Sequence, residues 1–429
     1  MRKILLCVVL TVMVLDLEAQ NIRDEIRDNI RCSAGNYLAY SGPTQLKLTP
    51  APEGKHPFYI SHYGRHGSRY LIGVNDYEAP YETMAEADSL GKLTPLGKDV
   101  LQRLDIIRKD ARDHYGELTR LGALQHQQIM RRMVDRFPEV FADGSGVDAR
   151  STTSLRVILS MENALMQLSR MCPKVVIHHN ATQRDMYYLC QSDSHLEALR
   201  NDSATQALLN GFNQRYDTSS RLMQSLFNDA AYVRQHIDAG KLDHYLFELA
   251  SSLQSTSLTL QMTLYDLFTD DELYNHWKKS NAWWYVNCGF CPTSGGEQPY
   301  SQRNLLRKII NDADSCIQLK QPGAHLRYGH DTMLLPLVCL LEIDNYELAT
   351  NDLESLDRKG WANYKVIPMA GNLQIIFYRS SPDDTDVLIK VLLNENEVHL
   401  PLKSFEGLYY RWNDFRKYYL NKLDAYEKE

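Results

Sequence analysis

The 429-residue sequence has no excess of positive charge: 47 lysines and arginines stand against 54 acidic residues, a formal net charge of −7. That balance excludes a surface that is basic all over, as nucleic-acid binding would need. An anionic partner has to be met by local groups of basic residues instead. Internal repeats and low-complexity tracts are absent as well. Hydrophobic residues at 44% and charged residues at 24% leave an ordinary globular chain. Its length suits two or three average domains, or one large fold with an insertion. After Ile4–Leu15 no second long apolar run follows, so no further segment reads as membrane-spanning. Cys288-Gly-Phe-Cys291 has metal-ligand spacing but no second ligand pair near it, which argues against zinc.

What is present begins at the N-terminus. Arg2 and Lys3 precede the short apolar stretch, and Leu17-Glu18-Ala19 offers a small residue before Gln20. This layout predicts a signal peptide over residues 1–19 and an exported, periplasmic or secreted protein with no stable membrane insertion after cleavage. Disulfides persist in such compartments. Of the eight cysteines, Cys7 lies in the apolar stretch, and the remaining odd number leaves at least one unpaired. Cys172 with Cys190 is one reasonable pair, and Cys288 with Cys291 is expected to form a local disulfide.

The pattern along the chain predicts an α/β fold: a mainly parallel sheet flanked by helices, with an inserted all-helical cap domain. Strands are expected at Phe58–His62, Lys174–His178, Ala324–Tyr328, Gln374–Tyr378 and Val387–Leu393. Thr94-Pro95 and Thr119 open amphipathic helices, and another covers Thr152–Leu168. From 190 to 300 the strand pattern stops. Helices are expected at Leu196–Gln214, Ser219–Phe227, Tyr245–Leu253, Leu258–Phe268 and Glu272–Trp284. Helices at Leu305–Ile317 and Thr332–Leu341 follow, and a closing helix runs from Leu402. The expected organisation is therefore an α/β domain in two parts, 20–189 and 301–429, interrupted by the helical cap at 190–300.

Ligands in such folds gather at the carboxyl ends of strands. Two candidate corners stand there. The first is "SHYGRHGSRY" at Ser61–Tyr70, where Arg65, His66 and Arg69 follow a strand. Arginine presents a fork of donors matched to phosphate oxygens. His66 among them could be a base, a metal ligand or a nucleophile. Flanking guanidiniums repel a metal, and attack on phosphorus fits the surroundings best. A polar loop held by surface ion pairs is the plainer alternative. The second corner is "LRYGHDTMLLPL" at Leu326–Leu337, where His330 could donate to phosphate and Asp331 could protonate a leaving alcohol. Asp331 could equally be a helix-capping carboxylate.

These segments resemble the histidine acid phosphatases, a branch of the histidine phosphatase superfamily that includes phytases and multiple inositol polyphosphate phosphatases. R-H-G-x-R at Arg65–Arg69 and the distant His330-Asp331 carry the likeness. "ELTRLGALQH" at Glu117–His126, "DARSTTSLRVILS" at Asp148–Ser160 and "VIPMAGNLQIIFYR" at Val366–Arg379 support it. The resemblance implies a nucleophilic His66 that becomes a phosphohistidine and an Asp331 that donates the proton. It also implies Arg65, Arg69, Arg150 and His330 around the phosphate, no metal and no cofactor, and a helical domain forming one wall of the cleft. Leu71 replaces a proline common in the family, and His330-Asp331-Thr332 stands where the inositol polyphosphatase branch often has His-Ala-Glu. The expected partner is a small anionic phosphate ester, first an inositol polyphosphate such as phytate. A broad-specificity acid phosphatase and a phosphate-ester binding protein are the alternatives. Arg184 and Lys55 are candidate extra cations for such a substrate, and Arg131-Arg132 is expected to be solvated. His178-His179 points to opposite strand faces and suits no single metal.

Overall fold

The computed structural model describes residues 22–217 and 219–427. The expected signal peptide at 1–19 lies outside the described residues. The strands are β1 His56–Arg65, β2 Gly146–Ser151, β3 Val176–Asn180, β4 Gly323–Gly329, β5 Asn372–Arg379, β6 Leu388–Leu393, β7 Asn396–Glu397 and β8 Tyr410–Arg411. They form one eight-stranded sheet ordered β3-β2-β4-β1-β5-β6-β7, with β8 beside β6. The β3-β2-β4-β1 half is parallel, while β5 to β8 pair antiparallel. The sheet is therefore mixed around a parallel core. Buried faces explain the near-continuous apolar runs of β5 and β6, whose residues are all buried.

The helices used below are α1 Asn75–Ser89, α2 Pro95–Ala111, α3 Arg120–Arg136, α4 Leu155–Met171, α5 Ser194–Asn201, α6 Ser203–Arg215, α7 Ser219–Leu226, α8 Ala230–His236, α9 Ala239–Leu253, α10 Asp270–Cys288, α11 Arg303–Ile317, α12 Asp331–Leu340 and α13 Trp412–Tyr426. Two starts follow from their caps. The Thr94 hydroxyl accepts from the Gly97 amide with Pro95 next, and the Thr119 hydroxyl accepts from the Gly122 amide. One sheet face packs on α3 and α4 through Ile60, Leu326, Ile376 and Met133. The other packs on α10 to α13 through Tyr59, Phe377, Leu337 and Phe415. Burying one such leucine fully contributes about 1.5–3 kcal/mol.

Between β3 and β4 no strand occurs among the described residues. The helices there divide between two cores. Residues of α7 and α9 pack with α1 and α2, whereas Phe212, Trp284 and Tyr285 pack onto the sheet side. The helix expected at Leu196–Gln214 is broken, because the Asp202 side chain caps Ala204 and its backbone is extended there. At Leu258–Phe268 the structure has two short 3-10 turns, where the Thr256 and Thr263 hydroxyls accept from the backbone amides of Leu258 and Tyr265. The closing helix starts at Trp412, after β8, instead of Leu402.

All seven described cysteines are free thiols, so neither expected disulfide is formed. The Cys291 sulfur sits 3.9 Å from Asn351 Oδ1. Cys288, the last residue of α10, is buried, and burial pushes its thiol up to about 12. Among the described residues no helix is long and apolar enough to cross a membrane, and no group of three or more His, Cys, Asp or Glu is arranged to hold a metal.

Candidate active site

Strand register brings the two corners together. β1 and β4 run parallel with Arg65 opposite Gly329, so the chains leave the sheet side by side. The His66 amide then donates to the Gly329 carbonyl at 2.9 Å, and His330 follows Gly329 directly. The rings of His66 and His330 lie 5.7 Å apart between centroids, nearly perpendicular.

The loop after β1 is clamped by α3 and α4. Gly67 needs no unusual backbone angle; it needs room, since a Cβ there would sit 2.4 Å from the Gly122 carbonyl oxygen. Gly122 is equally constrained, its hypothetical Cβ lying 2.2 Å from the Ser68 carbonyl oxygen. Around this contact the Ser68 amide donates to Gln125 Oε1 at 2.8 Å. The Thr119 hydroxyl donates to the Ser68 carbonyl at 3.1 Å, and the Gly67 amide to the Ser160 hydroxyl at 3.1 Å. The threonine, glycine and glutamine of "ELTRLGALQH" thus hold the loop and leave the chemistry to others.

His66 is buried, and its Nδ1 lies 2.9 Å from the Gly67 carbonyl oxygen. A carbonyl only accepts, so Nδ1 carries the proton and Nε2 keeps its lone pair. Burial, then the charges of Arg65, Arg69 and Arg156, hold the imidazole well below its ordinary value and keep it neutral. His330 is likewise lowered to about 4, chiefly by burial, and its Nε2 is 3.2 Å from the Thr152 hydroxyl.

Arg65 is fully buried. Its guanidinium donates to the Asn36 and Ile367 carbonyls and lies 2.7 Å from Asp331 Oδ2. Asn36 Nδ2 donates to the same carboxylate oxygen at 3.1 Å. Burial raises Asp331, but Arg65 and the Asn36 hydrogen bond outweigh it, and the carboxyl is held below its usual range. Asp331 is therefore ionised in this state, and so is not yet the proton donor that the resemblance implies. The Arg69 guanidinium donates to the Tyr70 carbonyl at 2.8 Å and lies over the Tyr37 ring. The Nε atoms of Arg65, Arg69 and Arg156 are buried without a hydrogen-bond partner among the described residues. Unpaired buried donors are costly, so three together mark a place for an anion. Three guanidiniums less one carboxylate leave two net positive charges, which match a phosphate dianion.

Of the residues expected from sequence, Arg65, His66, Arg69, His330 and Asp331 converge, and Arg150, Arg184 and Lys55 do not join them. Arg150 points into a separate cavity of about 330 Å³, shared with Arg184 and Arg327, and its Nε pairs with Asp148 at 2.6 Å. Arg156, at the start of α4 in the same segment, takes the position assigned to Arg150. Arg184 is exposed on the rim of that other cavity. Lys55 precedes β1 at the opposite end of the strand and pairs with Asp384 at 2.7 Å. β1 is ten residues long and ends at Arg65, which puts Lys55 roughly 30 Å from it. Arg131 is solvated as expected, but Arg132 makes a two-pronged contact to buried Glu395 at 2.8 and 2.6 Å. Arg156, Asn36, Tyr37 and Thr152 were not expected at the site. Only Arg156 and Thr152 had a signal, since both lie within the quoted segment.

A buried neutral histidine, its free nitrogen among arginine donors at the carboxyl ends of the parallel strands β1 and β4, is the arrangement a histidine phosphatase needs. A sequence profile of the histidine phosphatase superfamily (branch 2) matches residues 65–394, and the chain belongs to that family. Among curated proteins none matches it significantly. Solved structures share the fold. The multiple inositol polyphosphate phosphatase of Bifidobacterium longum in complex with phosphate superposes with a TM-score of 0.76 at 16% identity, covering 91% of this chain and 98% of that one. The D. castellii phytase gives 0.70 at 14% identity, covering 92% and 85%. The Hafnia alvei phytase in complex with tartrate gives 0.54 at 16% identity, covering 86% and 98%.

Proposed function

We propose that this chain is an exported phosphomonoesterase that hydrolyses phosphate esters of polyols through a phosphohistidine on His66, with inositol phosphates as the first class to test. The observation that carries this reading is the fixed tautomer of His66, its Nε2 free beside three arginines whose Nε donors lack partners. Export rests on the N-terminal sequence pattern alone. Inositol phosphates rest on the names of proteins that share the fold.

His66 Nε2 attacks phosphorus in line with the ester oxygen. The P–N bond forms as the P–O bond to the alcohol breaks, and Arg65, Arg69 and Arg156 take up the charge on the phosphoryl oxygens. The departing oxygen takes a proton from Asp331. That carboxyl is ionised when the site is empty, because Arg65 is its counter-charge. A bound phosphate engages the same arginines and adds negative charge beside it, which raises its proton affinity. The proton therefore enters with the substrate monoanion or from water. In the second half Asp331 accepts a proton from water, the water oxygen bonds phosphorus, the P–N bond breaks and inorganic phosphate leaves. His330, neutral at the N-terminus of α12, serves as a hydrogen-bond donor. The helical layer supplies the cleft wall in this reading. Hydrolysis of p-nitrophenyl phosphate by the purified chain tests it. His66→Ala is expected to lower kcat roughly thousandfold or more. Equal turnover by both proteins would overturn the reading.

A further inference from the structure

A cavity of about 720 Å³ borders the site, between α9, α10 and residues 34–37. That is ample room for a small ligand. Asn36 joins the two spaces, since it lines the cavity and hydrogen-bonds Asp331. Tyr37 does the same beneath Arg69. Asn36 and Tyr37 are thus the wall that the cavity shares with the site. The chemistry of the cavity is not that of a polyanion pocket. Asp217, Asp243 and Glu248 line it, against Lys279 as the single lysine or arginine among its described lining residues. Asp243 is buried and holds His276 at 3.1 Å through Oδ2, while its Oδ1 has no hydrogen-bond partner among the described residues. Asp217 accepts from the Ser219 amide, which holds it below the usual carboxylate range and keeps it ionised. Carboxylates accept hydrogen bonds from hydroxyls and repel phosphates. Trp283, 46% exposed, offers an indole face to the apolar side of a ring.

Resting on the phosphatase reading above, we infer that this cavity receives the leaving group and selects esters with one or few phosphates on an uncharged, hydroxyl-rich ring over fully phosphorylated inositol. Arg65, Arg69 and Arg156 bind the reacting phosphate, and the described lining of the cavity beyond them sets Lys279 against Asp217, Asp243 and Glu248, an acidic excess that additional phosphates would meet.

The test compares kcat/KM for glucose 6-phosphate, myo-inositol 1-phosphate, myo-inositol hexakisphosphate and p-nitrophenyl phosphate on one enzyme preparation. Either monophosphate is expected to exceed the hexakisphosphate at least tenfold. Asp217→Asn is expected to move the hexakisphosphate-to-monophosphate ratio upward by about fivefold, and Glu248→Gln to move it the same way by less, because burial holds the Glu248 carboxyl above its usual range. This ratio is independent of the fraction of active enzyme, so partial misfolding does not mimic the effect. A hexakisphosphate preference with the ratio unmoved by both variants would overturn the inference while aryl phosphate turnover leaves the phosphatase reading intact. Absence of aryl phosphate turnover in the unmodified enzyme would overturn both.

Discussion

Arg150 and Arg156 belong to one short segment, yet their replacement by alanine should have opposite consequences. Arg156 approaches His66 from the start of α4, and its Nε is buried without a partner among the described residues. A charge-assisted hydrogen bond from it to a phosphoryl oxygen is worth about 1.5–3 kcal/mol in binding. Losing one preorganised donor to transition-state charge costs about 2.7–4 kcal/mol, or roughly 10²–10³ in rate. Arg156→Ala should therefore lower kcat/KM for p-nitrophenyl phosphate by about two to three orders of magnitude. Arg156→Lys should fall between, since it keeps the charge and loses the fork. Arg150 pairs with Asp148, both side chains being about a third exposed (29% and 33%). Screening limits such a pair to about 0–1 kcal/mol of stability, so Arg150→Ala should change kcat/KM less than about threefold. Steady-state kinetics on the two variants, with thermal unfolding to confirm folding, decides the matter. A hundredfold loss in Arg150→Ala with full activity in Arg156→Ala would refute the assignment.

Three further outcomes follow from the same geometry. Asp331→Asn should slow alkyl phosphate hydrolysis by about 10²–10⁴ and slow release of p-nitrophenol in the first turnover much less, because that leaving group needs no proton, while the lost base for water slows the second half for both; equal losses in the first turnover would argue against proton donation. His62 and His126 are buried and held to about 3 and about 4, each chiefly by burial, while the unfolded chain titrates near 6.5. The unfolded state then binds more protons below pH 6.5, so stability should drop by about 1.4 kcal/mol per pH unit per histidine between pH 6.5 and about 4. A Tm unchanged over that range would contradict it. Gly67→Ala would press a methyl group against the Gly122 backbone at 2.4 Å and should lower stability by about 1–3 kcal/mol, read as a lower Tm together with lost activity.

The two candidate corners are legible because strand-end chemistry is local. Glycine, histidine and charged residues cluster within a few positions, and the β1–β4 register does the rest. Arg150 stands apart from His66 because it lies inside β2, opposite Arg327, and lines the other cavity. The rule that ligands sit beyond strand ends favours Arg156 and also argues against Lys55, which stands at the wrong end of β1. Asn36 and Tyr37 had no comparable signal. Their partners lie far along the chain, 295 residues away for Asn36 and Asp331, and no spacing pattern encodes such a contact. The helical segment was readable from periodicity, but its division between two cores depends on long-range packing with α1 and α2. The disulfide expectation came from compartment and spacing, whereas burial in apolar surroundings leaves Cys288 and Cys291 as packing residues.

The central claim is covalent: His66 Nε2 bonds phosphorus. Rapid acid-free quenching during p-nitrophenyl phosphate turnover, followed by peptide mass spectrometry, tests it directly. The expected result is an alkali-stable, acid-labile phosphoryl group on the peptide bearing Arg65-His66-Gly67, absent from His66→Ala. A phosphoryl group on another residue, or full turnover with none on His66, would contradict it.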